Sequence, residues 1–475
     1  MSKSPSQSKA IVWSAVERFS SQGIQFALGI IIARLVSPSC YGLIAMLTIF
    51  LSIGQSLIDS GFANALIHKK ECTDKDYSTV FYFNLVVSVA LYFLFFVSSP
   101  LIANFYNQPE LIVITRYSTL GFIINSLAIV QRAQFTKRMD FKSQSKASVS
   151  AVLISGGVGV FMAYHGFGVW ALVAQGLVNN FVNTLSLWLM SSWKPALIFS
   201  VESFKELYAF GSRLLFTGLL STVYINLYTL VIGKFFTSTQ LGFFNRMQNI
   251  AVFPSRNITS IMSRAIYPKQ CNLQDDNVAL FNNYMQLLSL SSFFIFPFMG
   301  GLAVLSKPLI SFLLGEKWIE AWPLLALLSI AYMFDHVQYF NWQMLAVKGR
   351  SDLSLKSEVI KKIASVLILI LTIPFGVKIM AIGLIIYAII DLLIIIPFVH
   401  KVIPTINYWV EVKALAPSFF LTLFMSLVII VFLSVISNIY LQLFGGFIIG
   451  VFVYLLMAYI MKIPELQYYL RKIHR

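Results

Sequence analysis

Charge is scarce in this chain. Only 11% of its 475 residues are Asp, Glu, Lys or Arg, whereas soluble domains carry about a quarter. That shortage excludes a solvated globular surface. With 58% hydrophobic residues and a mean hydropathy of +0.79, it places the chain among polytopic membrane proteins. Cysteine is rare too. Cys40, Cys72 and Cys271 have no metal-ligand spacing, and the five histidines are scattered, so neither a disulfide framework nor a metal centre is expected. No phosphate-cradling loop is present. The glycine patches Ser155-Gly156-Gly157 and Gly445-Gly446 lack a following Lys-Ser/Thr. Stretches between apolar runs stay below roughly 20 residues, and folded domains begin near about 50. An ATP-hydrolysing domain, or a large outer loop carrying glycosyltransferase or polymerase carboxylates, is therefore excluded. No cofactor is implied, and the chain is read as a non-enzyme.

Long apolar runs fill the sequence instead. A helical span takes about 20 residues, and about fourteen runs qualify. They centre near Ala27, Phe50, Val89, Phe122, Gly156, Leu177, Val223, Val252, Ser292, Tyr332, Ile368, Leu384, Phe424 and Val451. The expected fold is an all-α polytopic membrane protein with about fourteen transmembrane helices. The first span carries Glu17, Arg18, Gln22 and Gln25, so it is not a cleaved secretory signal. An even span count puts both termini on one side. Lys69, Lys70, Lys137, Arg138, Lys348, Arg350, Lys361, Lys362, Lys401 and Lys472 are assigned to that same side, with Arg132. Arg34, Lys234, Lys307, Lys317 and Lys378 fall opposite. The positive-inside rule then makes the rich side, and both termini, cytoplasmic. The net charge of +16 is thus a product of topology and gives no reason to invoke nucleic acid.

A short motif repeats at an offset of 200 residues. Ala33-Arg34-Leu35-Val36-Ser37-Pro38-Ser39-Cys40-Tyr41-Gly42 aligns with Gly233-Lys234-Phe235-Phe236-Thr237-Ser238-Thr239-Gln240-Leu241-Gly242. The basic residue suits a helix C-terminus, the hydroxyl caps the next helix, and the glycine permits close backbone approach. The repeat opens spans 1–6 and again spans 7–12. The chain accordingly divides into a first lobe at 1–198, an interfacial connecting helix at 199–211, a second lobe at 212–404, and two extra spans with a tail at 405–475. Ser203-Phe204-Lys205-Glu206 has capping-box form for the connecting helix.

Polar residues inside the spans are the functional candidates. Ser14, Arg18, Ser21 and Gln25 share one helical face. Arg18 either lines an aqueous cavity or pairs internally with an acid such as Glu17 or Asp59. Span 8 carries Arg246, Asn249, Arg256, Asn257 and Arg264, with Pro254 available to bend the helix beside Arg256. Arg246 and Arg264 lie near its ends, where long side chains reach the interface. Asp335 and His336 fall mid-way along span 10 and Asp391 mid-way along span 12. With Asp59, these are candidates for ion coupling; charge compensation for the arginines is the alternative. Arg116 reads as an interfacial anchor.

Several stretches then resemble a known family. They are Gly166-Phe167-Gly168-Val169-Trp170-Ala171-Leu172-Val173, Phe210-Gly211-Ser212-Arg213, Leu241-Gly242-Phe243-Phe244-Asn245-Arg246, Tyr267-Pro268, Leu314-Gly315-Glu316-Lys317-Trp318 and Gly349-Arg350-Ser351-Asp352-Leu353. In order and spacing the chain resembles the bacterial polysaccharide-precursor flippases, Wzx-like proteins of the lipopolysaccharide biosynthesis type, in the superfamily that also holds MATE-type multidrug exporters. The resemblance implies two pseudo-symmetric, MATE-like six-helix lobes plus two C-terminal helices, in the bacterial inner membrane. It implies alternating-access transfer of an undecaprenyl-pyrophosphate-linked oligosaccharide from the cytoplasmic to the periplasmic leaflet. Partners would be that lipid-linked oligosaccharide, membrane lipid and other polysaccharide-assembly membrane proteins, with the chain a monomer. Arg18, Arg256, Arg246, Gln25 and Asn249 would line the pyrophosphate cavity, because Arg matches phosphate geometry. A cation-coupled drug or metabolite exporter on the same fold is the alternative.

Overall fold

The structure is a computed structural model. It describes residues 7–59 and 61–467, with side chains from residue 21 onward except at 210, 213, 214, 216 and 217. No strand occurs among the described residues. The helices are α1 (Gln7–Leu35), α2 (Pro38–Asp59), α3 (Phe62–His68), α4 (Asp74–Tyr106), α5 (Leu111–Ser118), α6 (Leu120–Ser126), α7 (Ile129–Lys137), α8 (Phe141–Tyr164), α9 (Val169–Met190), α10 (Val201–Ile225) and α11 (Leu227–Phe235). They continue with α12 (Ser238–Asn272), α13 (Asn277–Val304), α14 (Ser306–Leu313), α15 (Trp322–Tyr332), α16 (Asp335–Val347), α17 (Ser351–Thr372), α18 (Val377–His400), α19 (Tyr408–Val435) and α20 (Ile439–Ile460).

Each of the expected span centres falls in a helix. Among the described residues, 8 helical segments are long and apolar enough to cross a membrane, or 10 if each of two bent pairs is one span. The others are less apolar. Helices α9, α12 and α17 have 22, 35 and 22 residues and carry polar side chains along their length. Helix α1 has 29 residues, with a shorter apolar part at Ser21–Leu35. Apolar composition marks the helices that face lipid. It under-reports those whose polar faces turn to other protein or to water.

Packing divides the chain into Met1–Gly242 and Phe243–Arg475. In the first unit α8 packs along both α1 and α9. Span 4 is broken: α5 and α6 meet α7 at 42°. A break frees backbone carbonyls that must find donors inside a membrane. Here Thr184 Oγ1 donates to the Ile124 carbonyl at 3.0 Å and Trp188 Nε1 to the Leu127 carbonyl at 2.9 Å. Both donors come from α9. Helix α10 starts after Ser200, whose Oγ accepts from Ser203 N at 3.2 Å, so the cap stands three residues before the one the sequence suggests. The helix runs unbroken past residue 211. Lys69 ties this end together, reaching Glu206 at 2.7 Å and Asp76 at 3.2 Å. The Glu206 hydrogen bond holds the Lys69 ammonium above its usual range.

The two repeated hairpins pack against each other. Thr237 and Gln240 form a reciprocal cap at α12: Gln240 N donates to Thr237 Oγ1 at 3.2 Å, and Thr237 N to Gln240 Oε1 at 3.4 Å. A Cβ on Gly42 would overlap the backbone of Ser238, and one on Gly242 the backbone of Pro38. The contact is reciprocal at the 200-residue offset, as a local two-fold axis requires.

In the second unit α13 packs along α15 and α19, and α19 along α20. The last two helices are therefore part of this unit's core. Tyr454 Oη of α20 donates to the Phe293 carbonyl of α13 at 3.0 Å. Glu411 of α19, only 2% exposed, accepts from Tyr284 Oη at 2.7 Å and from Asn341 Nδ2 at 3.2 Å.

Candidate functional site

Two polar regions stand out, one in each unit. In the first unit a cavity of about 350 Å³ is lined by Ser56 and Asp59 of α2, Asn64 of α3, Arg132 of α7, and Leu215 and Gly218 of α10. Asp59 and Arg132 act on each other electrostatically, yet no ion pair joins them among the described residues. Each is steadied from behind. Gln55 Nε2 donates to Asp59 Oδ1 at 3.1 Å, and Arg132 Nη2 donates to Asn125 Oδ1 at 2.6 Å. Asn125 stands just before the break between α6 and α7, so the kink aims the guanidinium.

In the second unit α12 carries Arg256 two residues after Pro254, in a helix that continues through the proline. Arg256 is exposed along that helix and has no ion pair among the described residues. Opposite charge comes from Asp335, on which both Arg256 and Asp391 act electrostatically. Asp335 opens α16 at a break in span 10, where the helix N-terminus favours a carboxylate. His336 fills the break. Its Nδ1 pairs with the Met333 carbonyl at 3.0 Å and its Nε2 with Ser292 Oγ at 2.8 Å. Asp391 of α18 is met by Lys361 of α17 at 3.1 Å, and Glu358 holds the same ammonium at 2.5 Å.

The sequence candidates therefore have different surroundings. The Arg18 side chain lies outside the described residues. Gln25 is exposed on α1. Arg246 is half-buried and engaged by its surroundings. Asn249 is exposed, with Nδ2 on Asn245 Oδ1 at 3.2 Å. Arg256 and Asp335 come together, as do Asp391 and Lys361, whereas His336 is wholly occupied by hydrogen bonds. Of the residues counted on the cation-rich side, Arg132 lines the cavity and Lys361 is 5% exposed against two carboxylates. Arg116 lies over the Phe96 ring at 4.2 Å and bonds Ser99 Oγ at 3.1 Å. In the Gly349–Leu353 stretch, Gly349 takes φ 68° to end α16. Arg350 then forks onto Asp352 with two bonds of 2.8 Å, holding that carboxyl below its usual range.

An accessible arginine along α12 is a place where an anion can be received. The family model described as "Polysaccharide biosynthesis protein" matches residues 31–323. The chain belongs to that family. It is 27% identical over 351 residues to the lipopolysaccharide biosynthesis protein WzxC of Escherichia coli, covering 74% of this chain and 71% of that one. It is 27% identical to the teichuronic acid biosynthesis protein TuaB of Bacillus subtilis, the match spanning 63% of this chain and 62% of the relative. The succinoglycan biosynthesis transport protein ExoT of Rhizobium meliloti is 23% identical, over 67% of this chain and 65% of that one. Among solved structures, the lipid II flippase MurJ superposes with a TM-score of 0.77 at 16% identity, covering 98% of this chain and 100% of that one. An inward-facing MATE family transporter gives 0.58 at 15% identity, over 83% and 99%. At such identity these two establish the fold alone. The chain is thus a multi-span, all-helical membrane protein of the polysaccharide biosynthesis family, and one of these relatives is named as a transport protein.

Proposed function

We propose that this protein moves a polyprenyl-diphosphate-linked oligosaccharide from the cytoplasmic to the outer leaflet of a bacterial inner membrane, with fourteen spans and both termini in the cytoplasm. The observation that carries the reading is Arg256, a permanent cation exposed along α12 and unmatched by any ion pair among the described residues. A guanidinium within a span needs an anion, and the diphosphate of the proposed cargo would supply one. Arg18 joins it in the proposal. The diphosphate would cross on these arginines while the polyprenyl chain stays in lipid. Of the coupling candidates, Asp335 is the one we favour. It is half-buried beside Arg256, so a cation bound at Asp335 would release Arg256 for the diphosphate.

The test is an Arg256→Ala variant, expressed at the normal level in a strain lacking the chromosomal copy. Surface glycan should fall at least about tenfold, because one charge-assisted contact carries about 1.5–3 kcal/mol. Undiminished glycan would remove Arg256 from the mechanism. A drug-resistance assay on the same strains separates the exporter alternative, which requires resistance to change and glycan to stay constant.

A further inference from the structure

We propose that the Asp59–Arg132 cavity of the first unit is a sugar-binding subsite that holds one uncharged residue of the cargo's glycan. The inference rests on the transport reading above and deepens it. Its first support is size. About 350 Å³ lies in the range of small-ligand pockets. Its second is the pattern of charge. The cavity presents one carboxylate and one guanidinium that face each other without pairing. Each is oriented by a hydrogen bond from behind, which fixes geometry before a ligand arrives.

That pattern selects among ligands. A diphosphate would gain Arg132 but be repelled by Asp59. An apolar drug would cover both charged groups and satisfy neither. A vicinal diol suits both, since a hydroxyl donates to Asp59 while its neighbour accepts from Arg132. Asn64 adds an amide that both donates and accepts, and Ser56, whose hydroxyl donates to the Ser52 carbonyl at 2.9 Å, adds an acceptor.

Gly218 supplies a way to test this. A Cβ added there meets no heavy atom within 4 Å, so a larger side chain enters the cavity with no backbone clash. The full chain in lipid nanodiscs would be titrated with two probes. One is the polyprenyl-diphosphate glycan extracted from a strain lacking this protein; the other is the same lipid with its glycan removed. Gly218→Leu, by filling the space, and independently the isosteric Asp59→Asn, by losing one charged hydrogen bond, should each weaken binding of the glycosylated lipid by at least about tenfold. Both should hold the bare lipid within about twofold of wild type, which also certifies the fold. Equal losses for both lipids, or no loss for either, would overturn the subsite. If the wild-type protein binds both lipids and the variants fail to discriminate, only the subsite falls. If the wild-type protein binds neither, the transport reading falls with it.

Discussion

Lys361 is an ammonium almost sealed from solvent, and its two carboxylate partners decide what happens when it is changed. Removing one member of a buried pair strands the other, at about 3–5 kcal/mol. Lys361→Met is therefore expected to lower the thermal unfolding temperature sharply in detergent. The double variant Lys361→Met, Asp391→Leu should recover most of the loss, since an apolar pair of similar volume is often neutral. A double variant no better than the single would show that a stranded Asp391 is not what destabilises the single variant. Glu411 sits in a related but cation-free site, held by Tyr284 and Asn341. Glu411→Gln keeps acceptor and shape and should be mild. Glu411→Leu leaves two buried donors unpaired and should cost about 2–5 kcal/mol, read by the same melting curves. Neither cluster was evident from sequence. Lys361 looks like one more cationic loop residue because it follows Lys356 and precedes Lys362. Glu411 lies close to the start of its apolar run, where an acid reads as interfacial.

Helices that break inside the bundle are stabilised from neighbouring elements. Trp188 donates across to the carbonyl at the α6–α7 kink, so Trp188→Phe removes a buried hydrogen bond while keeping most of the ring. About 1 kcal/mol of stability should be lost, measurable by thermal melting. A variant as stable as wild type would mean that the kink finds another donor. The hairpin glycines give a sharper contrast. Gly42→Ala must push against the Ser238 backbone, whereas Gly157→Ala in α8 meets open space. The first is expected to reduce both stability and surface glycan, and the second to leave both unchanged. The repeat containing Gly42 was legible because a basic residue, a hydroxyl and a glycine recur in fixed order. The kinks were not legible. Leu127-Ala128 and Met333-Phe334 contain neither proline nor glycine; the freed carbonyls are met by Trp188 from another helix at the first break and by the nearby His336 ring at the second.

Across the whole molecule, apolar run length located every helix that carries a span centre, and the family motifs agreed with the relatives found. Lateral pairing is what one dimension hides. Arg132 comes to Asp59 from a helix 73 residues away (132 against 59), and nothing in the local pattern of either predicts the other. The same limit applies to Arg256. Arg256 stood out because a permanent charge in an apolar run is rare, while its companion Asp335 emerged only when α12 and α16 were seen together. Residues that define single helices are thus readable from sequence. Residues that define a cavity are readable only once the helices are packed.

The central claim is that a cation on α12 carries a lipid-linked diphosphate across the bilayer. The most direct measurement reconstitutes the purified protein in vesicles holding labelled polyprenyl-diphosphate glycan and follows its appearance in the opposite leaflet. The account predicts transfer by the wild-type protein and a rate lowered at least about tenfold by Arg256→Ala. Transfer at the wild-type rate by Arg256→Ala, or none by the wild-type protein under any ion gradient, would contradict it.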